Sequence, residues 1–190
     1  MIFQTKLPTR KLSFIAVMTA LCVTTNYLML SLANIKFMDL FVFVSGYVMG
    51  SLSGVLVGCL TWLVYGTINP YGFSLPILVA TIIGESLYGL VGGLFTKSGL
   101  TVPNNLAKAI NKREFWTYNA KFAFIGFLLT FIYDLFTNII SGLTVGIPIS
   151  VAIISGVPFA IAHEVSNLLF FFFGATVLIN TLKIFTIQGR

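Results

Sequence analysis

The chain is a succession of long apolar runs separated by short polar breaks. Four runs, at about 12–32, 76–96, 121–142 and 149–178, are each long enough for a helix that crosses the roughly 30 Å hydrocarbon layer of a membrane. A fifth stretch, 37–67, is ambiguous. As one helix it would run about 46 Å, too long for one span and short for two. Its segment Gly50-Ser51-Leu52-Ser53-Gly54 suits a tight turn, which divides it into spans 37–51 and 53–67.

The distribution of charge decides between one span and two. Of the 11 Lys and Arg residues, all but Lys36 fall at the two ends of the chain or between residues 97 and 121. Six spans place these ten on the side of the termini, whereas five would put the two basic ends on opposite faces. The positive-inside rule therefore predicts an all-α fold. It is a single membrane domain over 1–190 with six transmembrane helices, cytoplasmic termini and a cytoplasmic loop at 97–120.

Composition narrows the class further. Hydrophobic residues make up 57% of the 190 residues and charged ones 8%, against roughly 25% charged in a soluble domain. A soluble globular fold is excluded, and six spans leave no length for a catalytic or nucleotide-binding domain. No G-x-x-x-x-G-K-[ST] segment is present, so energy from ATP must come from another chain. The basic start followed by an apolar run resembles a signal peptide. The run is too long, however, and lacks a small-residue cleavage site, which makes it the first membrane helix. Cys22 and Cys59 lie in apolar stretches and form neither a disulfide framework nor a metal spacing. No cofactor is expected. The net charge of +6 needs only anionic lipid as a partner, not nucleic acid, and the amphipathic piece 106–116 suits the inner leaflet.

Polar residues inside apolar runs carry the chemistry. Glu85, Asp134, His163 and Glu164 fall within spans, with no Lys or Arg beside them. Such residues face a protein interior or a wet cavity. Without a basic partner the acids must be protonated, hydrogen-bonded to neutral groups, or matched by a cationic ligand. At helical spacing Thr130, Asp134, Thr137, Asn138 and Ser141 form one stripe, and Gly156, Ala160, His163 and Asn167 another. The fourth span adds Thr81, Glu85 and Tyr88, and the third adds Gly58, Thr61, Trp62 and Tyr65. Asp134 lies about two turns from the outer end of its helix, within reach of a ligand entering from outside.

Connections on that side, at 33–38, 67–76 and 142–148, are uncharged apart from Lys36 and, just past the first of them, Asp39. The second, with Asn69, Tyr71 and two prolines, reads as a rigid turn that could cover a cavity. Interhelical hydrogen bonding that merely holds the bundle together is the plainer reading of these polar groups. Catalysis is disfavoured. His163-Glu164-Val165-Ser166-Asn167 starts like a zinc-protease HExxH, but Asn167 stands where the second ligand belongs. Neither Ser155 nor Ser166 has the context of a nucleophile.

Small residues recur at intervals of four: Ala16 and Ala20 in the first span, and Gly46, Gly50, Gly54 and Gly58 across the next two. This spacing lets helix backbones approach closely in lipid. Taken with length and topology, it gives the chain a family likeness. The chain resembles a substrate-binding S component of an energy-coupling factor transporter. That family has six helices, cytoplasmic ends, an Ala-x-x-x-Ala motif on the first helix and a glycine-rich segment like 50–58; the run 131–138 is similar to the fifth helix of some members.

The resemblance implies a vitamin or related micronutrient bound in the outer half, by the outward loops and helices 4 to 6. It also implies a transmembrane coupling protein packed on Ala16 and Ala20, and two ABC ATPases as further partners. The expected substrate-binding residues are Glu85, Tyr88, Asp134, Asn138, His163, Asn167, Trp62 and Tyr71, with Asp134 fixing a donor group of the ligand. A self-sufficient carrier driven by protons or sodium is the alternative, though the two halves of the chain show no repeat. A structural membrane protein is the third class.

Overall fold

The computed structural model describes residues 8–70, 72–99, 102 and 113–187, with side chains as far as 183. These form six helices: α1 (Thr9–Leu28), α2 (Met38–Met49), α3 (Ser51–Thr67), α4 (Leu75–Lys97), α5 (Arg113–Val145) and α6 (Ile149–Ile187). Among the described residues there is no β-strand. By length and apolarity α1, α4, α5 and α6 are each able to cross a membrane, while α2 and α3 are shorter apolar helices.

Local chemistry sets most boundaries. Pro8 sits just before α1 and Pro76 in the first turn of α4, where the missing N–H costs no helical bond. Between α2 and α3 a single residue, Gly50, takes φ +94° and ψ 157°, a region open essentially to glycine alone. The expected turn is therefore one residue wide. The α5–α6 turn passes through Gly146 at φ +78° and closes with the Gly146 and Ile147 N–H groups on the Gly142 carbonyl.

Two boundaries differ from those expected of the apolar runs. α1 ends at Leu28 rather than near 32, because 29–37 leaves the helix and turns inward. α5 begins at Arg113 rather than near 121: its first two turns are polar on one side, and a hydropathy window does not see them. Phe115 is buried there, and Trp116 stacks on Phe172 with ring centroids 5.9 Å apart. Residues 113–116 thus continue α5 rather than lying as a separate surface piece, and 106–112 fall outside the described residues.

The exterior is as apolar as the interior. Phe124, Ile154 and Phe173 are each more than 60% exposed, while Asn26, Asp39, Glu85, Asn119, Thr130, His163 and Asn167 are buried. That inversion suits a lipid solvent. α3 and α4 pack chiefly on each other, as do α5 and α6, with α2 between the two pairs and α1 against α2 and α3.

Glycines make the α2–α3–α4 contact possible. A methyl group at Gly89 would overlap the Gly54 backbone, and one at Gly92 would overlap the Phe43 carbonyl. Backbone lies directly on backbone, the close approach that small residues permit in lipid. The ladder Gly46, Gly54 and Gly58 faces α4 as the spacing by four predicts. Gly50 serves the turn instead. Opposite this contact, Phe43 meets Phe122 and Phe171 edge to face, with centroids 5.9 and 5.2 Å away.

Candidate functional site

α2 has only 12 residues, about 18 Å of helix. Counted back from the turn at Gly50, its first turn lies about halfway up the bundle rather than at the rim. The connection 29–37 must therefore descend into the interior to reach it. Asn34 makes the bend with φ +57°, a conformation Asn tolerates better than most residues. Its amide donates to the Phe159 carbonyl on α6 at 3.1 Å.

This descent roofs a half-open chamber of about 460 Å³. Its roof is the 29–36 segment; its walls come from α1 and from α3 to α6. Aromatic faces of Trp62, Tyr65, Tyr133 and Phe159 alternate with polar groups of Asn26, Thr81, Asp134, Thr137, Asn138 and Ser141. The volume and the mixture fall in the range of small-molecule sites. Lys36 enters from the roof, with Nζ 5.2 Å from the Trp62 ring centroid and 6.0 Å from that of Tyr133, a cation–π arrangement.

Beneath the chamber lies a buried network centred on His163, which has no exposed surface. Its Nδ1 is 3.0 and 3.1 Å from the two oxygens of Asp134 on α5. Its Nε2 is 2.6 Å from Oδ2 of Asp39, in the first turn of α2. Asn167, one helical turn along α6, donates to the same Asp39 oxygen at 2.5 Å and to the Thr130 hydroxyl at 2.7 Å. Thr130 also accepts from Tyr88 at 2.8 Å and donates to the Gly126 carbonyl at 2.7 Å, which uses its full hydrogen-bonding capacity. Trp62 Nε1 donates to Glu85 Oε2 at 3.3 Å. The remaining oxygens, Asp39 Oδ1 and Glu85 Oε1, are buried without a hydrogen-bond donor, and the two carboxyl groups lie within hydrogen-bonding reach of each other.

The residues singled out from sequence divide accordingly. Trp62, Asp134 and Asn138 line the chamber. Glu85, Tyr88, His163 and Asn167 are buried behind its wall in the network and do not line it. Tyr71 lies outside the described residues. Those described residues of 67–76 do not line the chamber, so the expected cover is supplied by 29–36 instead. The acids are not without basic partners. Asp134 and Asp39 share His163, and Lys36 enters from a connection that sequence placed at the surface, so no cationic ligand is required to match them. Glu164, grouped with these acids, does not line the chamber: it is half-buried in a smaller groove between α5 and α6, beside Phe131, Leu135 and Val157, which adjoins the chamber at Asp134 and Asn138.

Asp39 is the residue that sequence reasoning misplaced. It appeared as a loop charge beside Lys36, yet it is 1% exposed. A usable signal was present: eleven residues separate it from Gly50, about 17 Å of helix, which puts it near mid-bilayer if Gly50 is at one surface. Ala16 and Ala20 are exposed on the outer face of α1, away from the bundle. Cys22 is buried and Cys59 half-buried, both as free thiols.

Comparison with known proteins adds no relative. No family model matches the chain, and neither do the curated proteins or solved structures with which it was compared.

Proposed function

We propose that this chain is a multi-pass cell-membrane protein that binds a small, vitamin-like nutrient for uptake, energised by separate coupling and ATPase subunits. The observation that carries the reading is the half-open chamber, with aromatic faces and polar groups interleaved and a hydrogen-bonded floor. In this reading all six helices cross the membrane, α2 with the help of the connection above it. The termini and the 97–120 loop are cytoplasmic, and the chamber opens toward the outside. Ala16 and Ala20 form the partner surface, because a flat, small-residue strip exposed on α1 suits a close helix–helix contact in lipid.

Mass spectrometry of small molecules released from the purified protein tests the binding role. One compound near stoichiometric amount is expected, and an empty protein that takes up nothing from a rich medium overturns it. For the partner surface, Ala16→Trp combined with Ala20→Trp is expected to abolish copurification with the ATPase module while ligand binding persists. Normal copurification removes that assignment.

One observation favours a second reading. The chain Asp39–His163–Asp134, extended by Glu85, is a continuous set of titratable groups, the kind of constellation that ion-coupled carriers use. Uptake driven by a proton or sodium gradient in proteoliposomes without any ATPase selects the carrier.

A further inference from the structure

Proton positions beneath the chamber follow from which atoms face each other. Each ring nitrogen of His163 points at a carboxylate oxygen. A bare nitrogen lone pair facing a carboxylate lone pair is repulsive, so a hydrogen sits in each contact. Two carboxylates and an imidazole with a hydrogen on both sides carry a net charge of about −1, wherever the second proton resides. The same logic applies between Asp39 and Glu85. Their orphan oxygens are both buried acceptors without a donor, and a proton on Glu85, whose other oxygen has only the Trp62 N–H, leaves one buried charge there instead of two.

Asp39, Glu85, Asp134 and His163 together therefore carry about −1. Lys36 supplies about +1 at the chamber wall, with no carboxylate within salt-bridge distance of its ammonium group among the described residues. Among the described residues no further Asp, Glu, Lys, Arg or His lines the wall. The other groups that titrate there or just behind it are the Cys22 thiol from α1 and the phenols of Tyr65 from α3, Tyr88 from α4 and Tyr133 from α5, all neutral in their ordinary state. Glu164 from α6 is not among the lining residues; it borders the adjoining groove, which meets the chamber at Asp134, Asn138 and Ala160.

We propose that the cargo of this chamber is a planar, hydrogen-bonding ring compound of no net charge. The inference rests on the substrate-binding reading above and narrows its substrate class. A chamber whose charges already cancel leaves a charged ligand uncompensated in an apolar surround, where burying a lone charge is costly. What the wall does offer is aromatic faces for a ring and uncommitted amide and hydroxyl groups at its edge. Asn138 and Ser141, for example, line it.

The test uses the whole purified protein and a rich growth medium separated by ion exchange into anionic, cationic and net-neutral pools. Thermal unfolding is followed with each pool. The neutral pool is expected to raise the melting temperature of the wild type by about 5 °C, as a ligand well above its dissociation constant does for a protein this size, and the charged pools by much less. Lys36→Met leaves the chamber with an excess negative charge and moves the response from the neutral to the cationic pool. Glu85→Gln, an isostere of the protonated acid, keeps the neutral preference. Stabilisation of the wild type by a charged pool overturns the inference and leaves the binding role standing, as does an unchanged neutral preference in Lys36→Met. No response to any pool removes the substrate-binding reading itself.

Discussion

α2 takes part in two contacts of opposite chemistry. Toward α3 and α4 it presents bare backbone, with Gly46 against Gly89 and the Phe43 carbonyl against Gly92. Toward α5 and α6 its first turn presents Asp39, tied to His163 and Asn167. In lipid the hydrophobic effect does not hold helices together, so dispersion and hydrogen bonding remain. The first contact has no space for an added atom. The second has no donor to spare. The difference teaches that the same helix is intolerant of enlargement on one side and of truncation on the other.

Mutations can break each side separately. The largest effect is expected from His163→Ala, which leaves Asp39 and Asp134 facing each other without the group between them. Breaking a buried charged set of this kind costs about 3–5 kcal/mol, read as a fall in thermal stability in detergent. A loss below about 1 kcal/mol would mean that the ring is not what satisfies the two acids. On the glycine side, Gly89→Val forces two backbones apart and is expected to cost about 3 kcal/mol, the upper range of ordinary overpacking. Unfolding measured beside Gly89→Ala shows whether the cost grows with side-chain volume, as it must if contact is the cause.

Gly50→Ala sharpens that comparison, because nothing lies within 4 Å of a methyl group there. Its expected cost, about 2 kcal/mol, comes from the backbone conformation alone. Equal penalties for a long and a short side chain at 50, against unequal ones at 89, separate strain from crowding. Smallest is Trp62→Phe, which keeps a ring on the chamber wall and removes one donor from Glu85. About 1 kcal/mol is expected, and a neutral result would show that water replaces the indole N–H.

Much of this architecture was legible in the chain because lipid-facing helices advertise themselves by long apolar runs, and glycine spacing marks where backbones meet. The turn at Gly50 came from its glycine- and serine-rich segment and the placement of charge, and the stripe through Thr130, Asp134 and Asn138 from periodicity. Less legible was depth. Asp39 looks like a rim residue because it follows Lys36 and a polar break, and only the shortness of α2 carries it inward. The roles of Glu85, Tyr88, His163 and Asn167 were blurred for a related reason: periodicity tells which side of a helix faces inward, but not which inward residues meet a cavity and which meet each other. Lys36 shows the converse, a loop charge whose position over Trp62 depends on the fold of 29–37, for which no sequence period exists.

The half-length of α2 has a mechanical consequence. The floor of the chamber is the start of a helix clamped by glycine contacts along its length, whereas the roof is a short non-helical strap. The strap's direct polar tie to α6 is the Asn34–Phe159 hydrogen bond, and below it Phe37 stacks on Phe170 with centroids 4.0 Å apart. The strap's other contacts include Leu30 on the core and Lys36 over the Trp62 and Tyr133 rings. Under the proposed binding role, entry and exit of a small molecule would have a rate set by a few local contacts, while the shape of its seat is held by the whole bundle.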